Sequence, residues 1–463
     1  MFLFPVIYII SFISAIVLLF KKEVKGFLLF AVIGLPIYIN ALSVTYMYGF
    51  DKAIPIMQAF KEICLLIAFT LVLSQLKKRP KLYLVDKLIL LFFLYSLLYL
   101  ILPIGEYGFY RRFIAFKALS VFPLIYFTGR FCNFESIHID QFFSYICAVI
   151  IIAALVLLFE VITYQHLHTR TGLTDFMVHF YNAEAKGSYG LLFSFETESG
   201  VKRFGSIFSG PLELSAAAIL TLSVLLGLIT SNSNKIKATN FYILTFFASL
   251  FCVIFAVSRA AFVNYFLLIY CFAHLTHNKQ IIKYFHYFVL ICIIYVAFFL
   301  KGNLYDDIIT TLTFENSSSV GHVFEWLNGI NAMITHPFGM GLGASGRVSM
   351  ESNDNIGGES QLIIVGVQVG IAMLIVYIWI YALLIKKGIK AIKTESGKKK
   401  KLILATVLLK IGFIIPLITS YFDSFIYITF TSYFLSGLMI NMIVADNEIS
   451  ERSSIKQQPV SLA

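Results

Sequence analysis

The sequence predicts an all-α polytopic membrane protein, and three observations carry that prediction. The 463 residues are 59% hydrophobic and only 13% charged, with a mean hydropathy of +0.85, whereas a soluble domain carries roughly 25% charged residues. So few charges cannot cover a 52 kDa globule with water-compatible surface, which excludes a soluble enzyme, a disordered chain and a secreted disulfide scaffold. Apolar segments long enough to cross a bilayer, about 20 residues for roughly 30 Å of hydrocarbon, recur along the whole chain. The basic residues, finally, gather in every second gap between those segments.

Thirteen segments qualify as spans. Residues 2–20 lack a basic leader and a small-residue cleavage site, so they read as a retained span rather than a signal peptide. Spans at 27–48, 54–76, 84–103, 113–131 and 141–163 follow and complete an N-terminal unit, 1–163. A first long loop, 164–209, leads to a central unit, 210–300, with spans at 210–229, 241–257, 260–275 and 284–300; only Ser258 and Arg259 interrupt the stretch from 241 to 275. A second long loop, 301–359, contains a stretch, 322–335, that reads as an amphipathic helix with Val323, Trp326, Leu327, Ile330 and Ile334 along one face. Spans at 360–385, 402–419 and 424–444 make the C-terminal unit, 360–445, and residues 446–463 form a tail. Loops of such length in compact proteins are mostly functional or disordered.

Six alternate gaps and the tail hold 22 of the 36 Lys and Arg, against 4 in the opposite short gaps. Basic residues stay on the cytoplasmic side, so the N-terminus is expected outside, the C-terminus in the cytoplasm, and both long loops on the outer face. The net charge of +11 then reads as anchoring against anionic lipid, and no nucleic-acid partner is expected. The cysteines lie within or at the ends of apolar segments and show no zinc-ligand spacing, so they read as small buried hydrophobes.

Three constellations carry chemistry. In VKRFGSIFSGPLELSAAAIL (201–220), Arg203 stands just ahead of a span whose first turn contains Pro211. A guanidinium near the free N–H groups of a helix mouth suits a phosphate; the bland reading is an arginine reaching for lipid headgroups. In AVSRAAFVNYF (256–266), Arg259 breaks the apolar stretch. A charge near hydrocarbon is expensive to insert and mostly faces a cavity or a partner, unless it marks a short turn between two spans. In DNIGGESQLIIVGVQVGI (354–371), Glu359 closes the second long loop. It reads either as a helix-start carboxylate or as a general base with a raised pKa. Weaker candidates in the second loop are His322, Glu325, His336, Arg347, Glu351 and Asp354. His166, His168 and His179 lack a tight metal-ligand arrangement, and Lys61, Glu62 and Lys117 read as span-end groups that snorkel. Lys410, deep in its span, calls for a buried partner. Nucleotide-binding loops and zinc- or serine-hydrolase motifs are absent from the sequence.

These pieces, RFGSIFSGPLELSA before a span, SRAA between two spans, and WLNGINAMITHPFGMGLGASG followed by GGESQLIIVGVQVGI, resemble the O-antigen polymerase and ligase superfamily of bacterial membrane glycosyltransferases. The resemblance covers roughly residues 200–385, in the family's order; the first 200 match only as generic spans. It implies a GT-C-like helix bundle in the bacterial inner membrane that transfers glycan from undecaprenyl diphosphate at the periplasmic face, with no nucleotide sugar, cofactor or required metal. Arg203 and Arg259 match the arginines expected to bind the donor diphosphate. Ligases of this superfamily commonly carry His-Asn where this chain has Glu359-Ser360. That departure points to a polymerase, with Glu359 activating the acceptor hydroxyl, rather than to a ligase that delivers glycan to lipid A–core. A further departure is His322, where relatives often have arginine near the start of the loop helix, so the resemblance does not carry a role over to it; His322 and Arg347 stand only as candidate second-loop contacts. The implied partners are lipid-linked repeat units, membrane lipids and a separate chain-length regulator. A flippase or other transporter is the rival from a different class, and it predicts repeated halves with broken helices or charges at mid-bilayer.

Overall fold

Every span expected from the sequence is occupied by helix, in the expected order. The computed structural model describes residues 1–77, 79–183, 187–197, 200–230, 239–298, 317–346, 349 and 356–456. Arg347, Glu351 and Asp354 fall outside these described residues. The N-terminal helices are α1 (Leu3–Phe20), α2 (Lys25–Met47), α3 (Ile54–Ser74), α4 (Leu84–Ile101), α5 (Phe109–Phe131) and α6 (Ile139–Thr163), and the first long loop carries α7 (Leu173–Tyr181). Next come α8 (Pro211–Ile229), α9 (Asn240–Phe255), α10 (Arg259–Leu275), α11 (Lys279–Phe298) and, in the second long loop, α12 (Ser317–Thr335). The chain ends with α13 (Gln361–Ile392), α14 (Gly397–Gly412, continued by a short helix Ile414–Thr419) and α15 (Ile426–Lys456). Among the described residues ten helices are long and apolar enough to cross a membrane; α9 and α10, at 16 and 17 residues, are shorter apolar helices. The described residues contain no strand beyond one bridge, Glu196 to Lys202. The chain is an all-α, multi-pass membrane protein.

Helix α8 forms the centre. Past Glu213 its sequence carries no charge and is apolar or small on every face, the pattern of a helix surrounded by protein, and it is buried along nearly its whole length. It packs against α14, α9, α6, α10 and α15, while α15 also runs along α5 in the most extensive helix pairing of the molecule. Asp86 and Arg130 are both buried, with Arg130 Nε 3.3 Å from Asp86 Oδ1 and Tyr126 OH donating to the same oxygen at 2.7 Å. Arg130, expected as a lipid-anchoring gap charge, instead belongs to an internal network, because a buried carboxylate needs a countercharge.

Helix α13 is broken at Gly370, whose φ of 86° and ψ of 168° lie in a region that essentially only glycine adopts. A Cβ there would meet Pro337 O and Phe338 C at 2.6 Å. The backbone of the second loop fills the break: Met340 N donates to Val367 O (2.7 Å), Gly341 N to Gln368 O (3.2 Å) and Ile371 N to Pro337 O (3.0 Å). The Gln368 side chain joins in, accepting from Gly343 N at 3.0 Å and donating to Ser345 O at 3.1 Å. Unpaired backbone inside a bilayer costs several kcal/mol per group, so the break depends on these partners. Arg111 fastens the segment from the other side, its Nη2 donating to Gly343 O at 3.0 Å.

Helix α12 covers the stretch expected to be helical. It packs through Trp326, Gly329 and Met333, whereas Leu327, Ile330 and Ile334 are 56%, 44% and 68% exposed. An apolar stripe on a membrane protein is satisfied by lipid as well as by protein, so hydrophobicity alone does not say which face packs. Lys61 and Lys117 do not simply snorkel: both pair with Glu62, at 3.2 and 3.1 Å. Of the cysteines, Cys292 is exposed and Cys271 half-buried, and the other four are buried thiols.

Candidate functional site

The segment RFGSIFSG, between the first long loop and α8, is tied down at almost every residue. Asn40 on α2 donates Nδ2 to Ile207 O (2.8 Å) and Phe208 O (3.3 Å), and its Oδ1 accepts from Thr171 Oγ1 (3.2 Å). Buried Glu160, at the end of α6, accepts from Leu167 N (2.6 Å) and Ser206 N (3.0 Å), which staples the two ends of the first loop together. His168 Nε2 donates to Phe208 O at 2.7 Å. Gly205 is required where it stands, because a Cβ would lie 2.7 Å from His168 Cε1 and 3.0 Å from Gly210. Burial pushes the imidazoles of His166 and His168 down to about 4, with Lys202 adding to the shift at His166. Both rings are therefore neutral and structural at neutral pH.

This scaffold presents Arg203. Its amide donates to Phe195 O at 2.9 Å and its Nε to Ala256 O at 3.1 Å, so the guanidinium is fixed at the end of α9. The expected association with the mouth of α8 is not what forms. Glu213 occupies that mouth, accepting from Ser209 N at 3.1 Å. Ala256 leads directly into Val257, whose φ of 48° is unusual for a β-branched residue, then Ser258, whose Oγ caps α10 by accepting from Ala261 N, and then exposed Arg259 as the first residue of α10. The tight turn between α9 and α10 therefore carries one arginine and anchors the other.

Glu359 comes to the same place. It lies one residue ahead of Ser360, the N-cap of α13, and no side chain caps that helix. Its carboxylate is solvent-accessible but walled by protein. That desolvation raises its pKa above the ordinary carboxylate value, His322 and Arg203 pull it down, and Glu325 pushes it further up. Arg203 feels the reciprocal field: burial lowers its pKa, Glu359 opposes and Arg259 adds. It remains a cation, since an arginine begins above 12. His322 Nδ1 is 3.8 Å from Glu325 Oε2 and its ring stacks on Trp326. Arg203 is thus electrostatically coupled to both Glu359 and Arg259, and Glu359 to His322, which links four distant stretches of chain in one series of charges. Arg347 is not among the described residues.

Beside the cluster lies a cavity of about 350 Å3, lined by Glu359 and Glu213, by the aromatic side chains of Tyr38, Tyr181, Phe195 and Tyr421, and by serines and aliphatic groups. Glu359 is the member of the cluster that reaches its wall; neither arginine is among its lining residues. The described residues contain no group of three or more His, Cys, Asp or Glu able to hold a metal. No family model matches the chain, and no curated protein is similar to it.

Sequence reasoning missed Asn40, Glu160, Glu213, Gln361 and Asp423. For Asn40 and Glu160 a signal existed: Asn40 is the only amide side chain in the 27–48 span and Glu160 the only charge in 141–163, and such residues are rarely accidental. Glu213, Gln361 and Asp423 sit at span ends, where polar residues are ordinary and carry no such signal.

Proposed function

We propose that this protein is a membrane glycosyltransferase of the O-antigen polymerase type, which transfers a growing glycan from undecaprenyl diphosphate to the non-reducing-end sugar of another lipid-linked repeat unit. The observation that carries the reading is the coupling of Arg203 to both Arg259 and Glu359, with Glu359 at the edge of a cavity. Cleaving a sugar–diphosphate bond builds negative charge on the leaving group, and two fixed guanidiniums stabilise it. The attacking hydroxyl must lose its proton, and a carboxylate with a raised pKa is suited to take it. Aromatic rings with carboxylates and hydroxyls along the cavity suit a sugar, which presents apolar ring faces and many hydroxyl groups. The alternation of basic gaps supports an orientation in which the cluster faces the outside of the inner membrane.

A transporter gains one specific observation, the break in α13 at Gly370 together with the buried Lys410, since transporters use broken helices at mid-membrane. The break, however, has its freed carbonyls paired with the second loop, which suits a rigid scaffold better than an open pathway. The two readings separate when purified protein is incubated with a lipid-linked repeat unit and the products are run on a gel. A polymerase gives a ladder of lengthened glycans, lost in Glu359→Gln; recovery of unchanged substrate only contradicts the reading.

A further inference from the structure

Lys410 lies on α14, fully buried, with Nζ 4.6 Å from the ring centre of Tyr381 on α13 and 4.0 Å from that of Tyr433 on α15. Its ammonium has no hydrogen-bond partner among the described residues. The charged group in its field is Asp423, in the single turn Phe422–Ser424 that joins α14 to α15. Asp423 is also buried, and one of its oxygens, Oδ1, is likewise unpartnered, as is Tyr381 OH. Lys410 Nζ, Asp423 Oδ1 and Tyr381 OH, on three elements, are therefore all buried without a partner among the described residues. An orphaned buried group costs about 1–3 kcal/mol.

The other half of Asp423 is fully engaged. Its Oδ2 accepts from Gln361 Nε2 at 2.8 Å and its amide donates to Gln361 Oε1 at 3.1 Å, a two-point clamp on one side-chain amide. Gln361 N donates to Ser420 O at 3.1 Å, and Ser360 Oγ to Leu417 O at 3.4 Å. Gln361 is the first residue of α13 and stands two residues after Glu359. The chain that bears Glu359 is therefore fixed to the C-terminal bundle through Ser360 and Gln361, and the Gln361 side chain through Asp423.

We propose that Lys410 and Asp423 are a positioning pair for the site: Lys410 balances the charge of Asp423, Asp423 clamps Gln361, and Gln361 sets the backbone that holds Glu359. Burial pushes the Asp423 carboxyl up to about 7 and Lys410 is the group that opposes this, so removing Lys410 pushes it further up and favours the neutral form.

The inference rests on Glu359 being the group the site uses, but its test needs no transferase activity. Glu359→Cys is placed in a chain with Cys292 replaced by serine, and the rate of modification by a membrane-impermeant maleimide is measured for the parent and for Lys410→Met, Asp423→Asn, Lys410→Met/Asp423→Asn and Gln361→Ala, with melting temperatures alongside. Each single change of the pair shifts the rate at least fivefold and lowers the melting temperature. The double change, which removes both charges and leaves an asparagine able to hold Gln361, returns both toward the parent, as expected when a buried pair is neutralised together. Gln361→Ala, which leaves the Asp423 amide and Oδ2 without their partner but keeps both charges, shifts the rate by a similar factor and also lowers the melting temperature. Rates within twofold of the parent in Gln361→Ala, or no recovery in the double variant, overturn the proposal. A wild-type protein that makes no ladders but shows this pattern leaves the positioning pair standing and removes the polymerase reading; ladders without the pattern do the reverse.

Discussion

Glu359 is held between opposing influences: protein on most sides raises its pKa, and Arg203 and His322 lower it. If it is the base, activity is present above that raised pKa and falls as pH drops through it. Arg203→Ala removes one of the lowering charges, so the acidic limb of the pH–rate profile moves to higher pH, in addition to any loss of rate. A limb that stays in place or moves down contradicts the coupling. Glu359→Gln preserves size and fold and lowers turnover by about 10²–10⁴, the usual worth of a positioned base, measured as initial rate of chain extension. Arg259→Ala removes one of two charges facing the developing anion and lowers turnover by about 10²–10³. In cells it leaves lipopolysaccharide capped with single units; normal long-chain ladders count against the diphosphate role.

Two elements hold this cluster, and each has its own vulnerability. The break in α13 needs glycine at 370, so Gly370→Ala combines a forbidden backbone conformation, about 1–3 kcal/mol, with a clash against Pro337 and Phe338. It lowers the melting temperature of the purified protein and loosens 336–346, visible as faster hydrogen exchange there. The first loop depends on neutral His166 and His168, whose pKa values are depressed to about 4 by burial. A histidine depressed in the folded state stabilises above its unfolded pKa, near 6.5, and that contribution is lost as pH falls toward 4. Limited proteolysis of the first loop should therefore accelerate between pH 6.5 and 4 while cleavage elsewhere changes less. Helix positions were legible beforehand because about 20 apolar residues admit few alternatives in a bilayer. Which face of α12 packs was not legible, because lipid and protein accept the same side chains. The pairing of 336–346 with the broken α13 was not legible either: its hydrogen bonds run through backbone, and only the glycines mark it.

For the molecule as a whole, the sequence singles out Arg203, Arg259 and Glu359 as candidates, because each is a charge near the edge of an apolar run. It did not show what brings them together. The anchoring of Arg203 to Ala256, the staple at Glu160 and the clamp on Gln361 are contacts between residues 46–62 positions apart, which no local pattern encodes. The orientation expected from charge alternation is open to direct test: Ser396→Cys, with Cys292 replaced, should be labelled by an impermeant maleimide only from the cytoplasmic side, and labelling of intact cells from outside reverses the topology. The central claim is that two guanidiniums form one diphosphate-binding place. Its most direct measurement is the affinity of purified protein for undecaprenyl diphosphate, read by native mass spectrometry for the wild type, Arg203→Ala, Arg259→Ala and the double variant. The account predicts at least a tenfold loss in each single variant and a double variant with a loss smaller than the product of the two, because the charges share one ligand. Unchanged affinity in either single variant contradicts it.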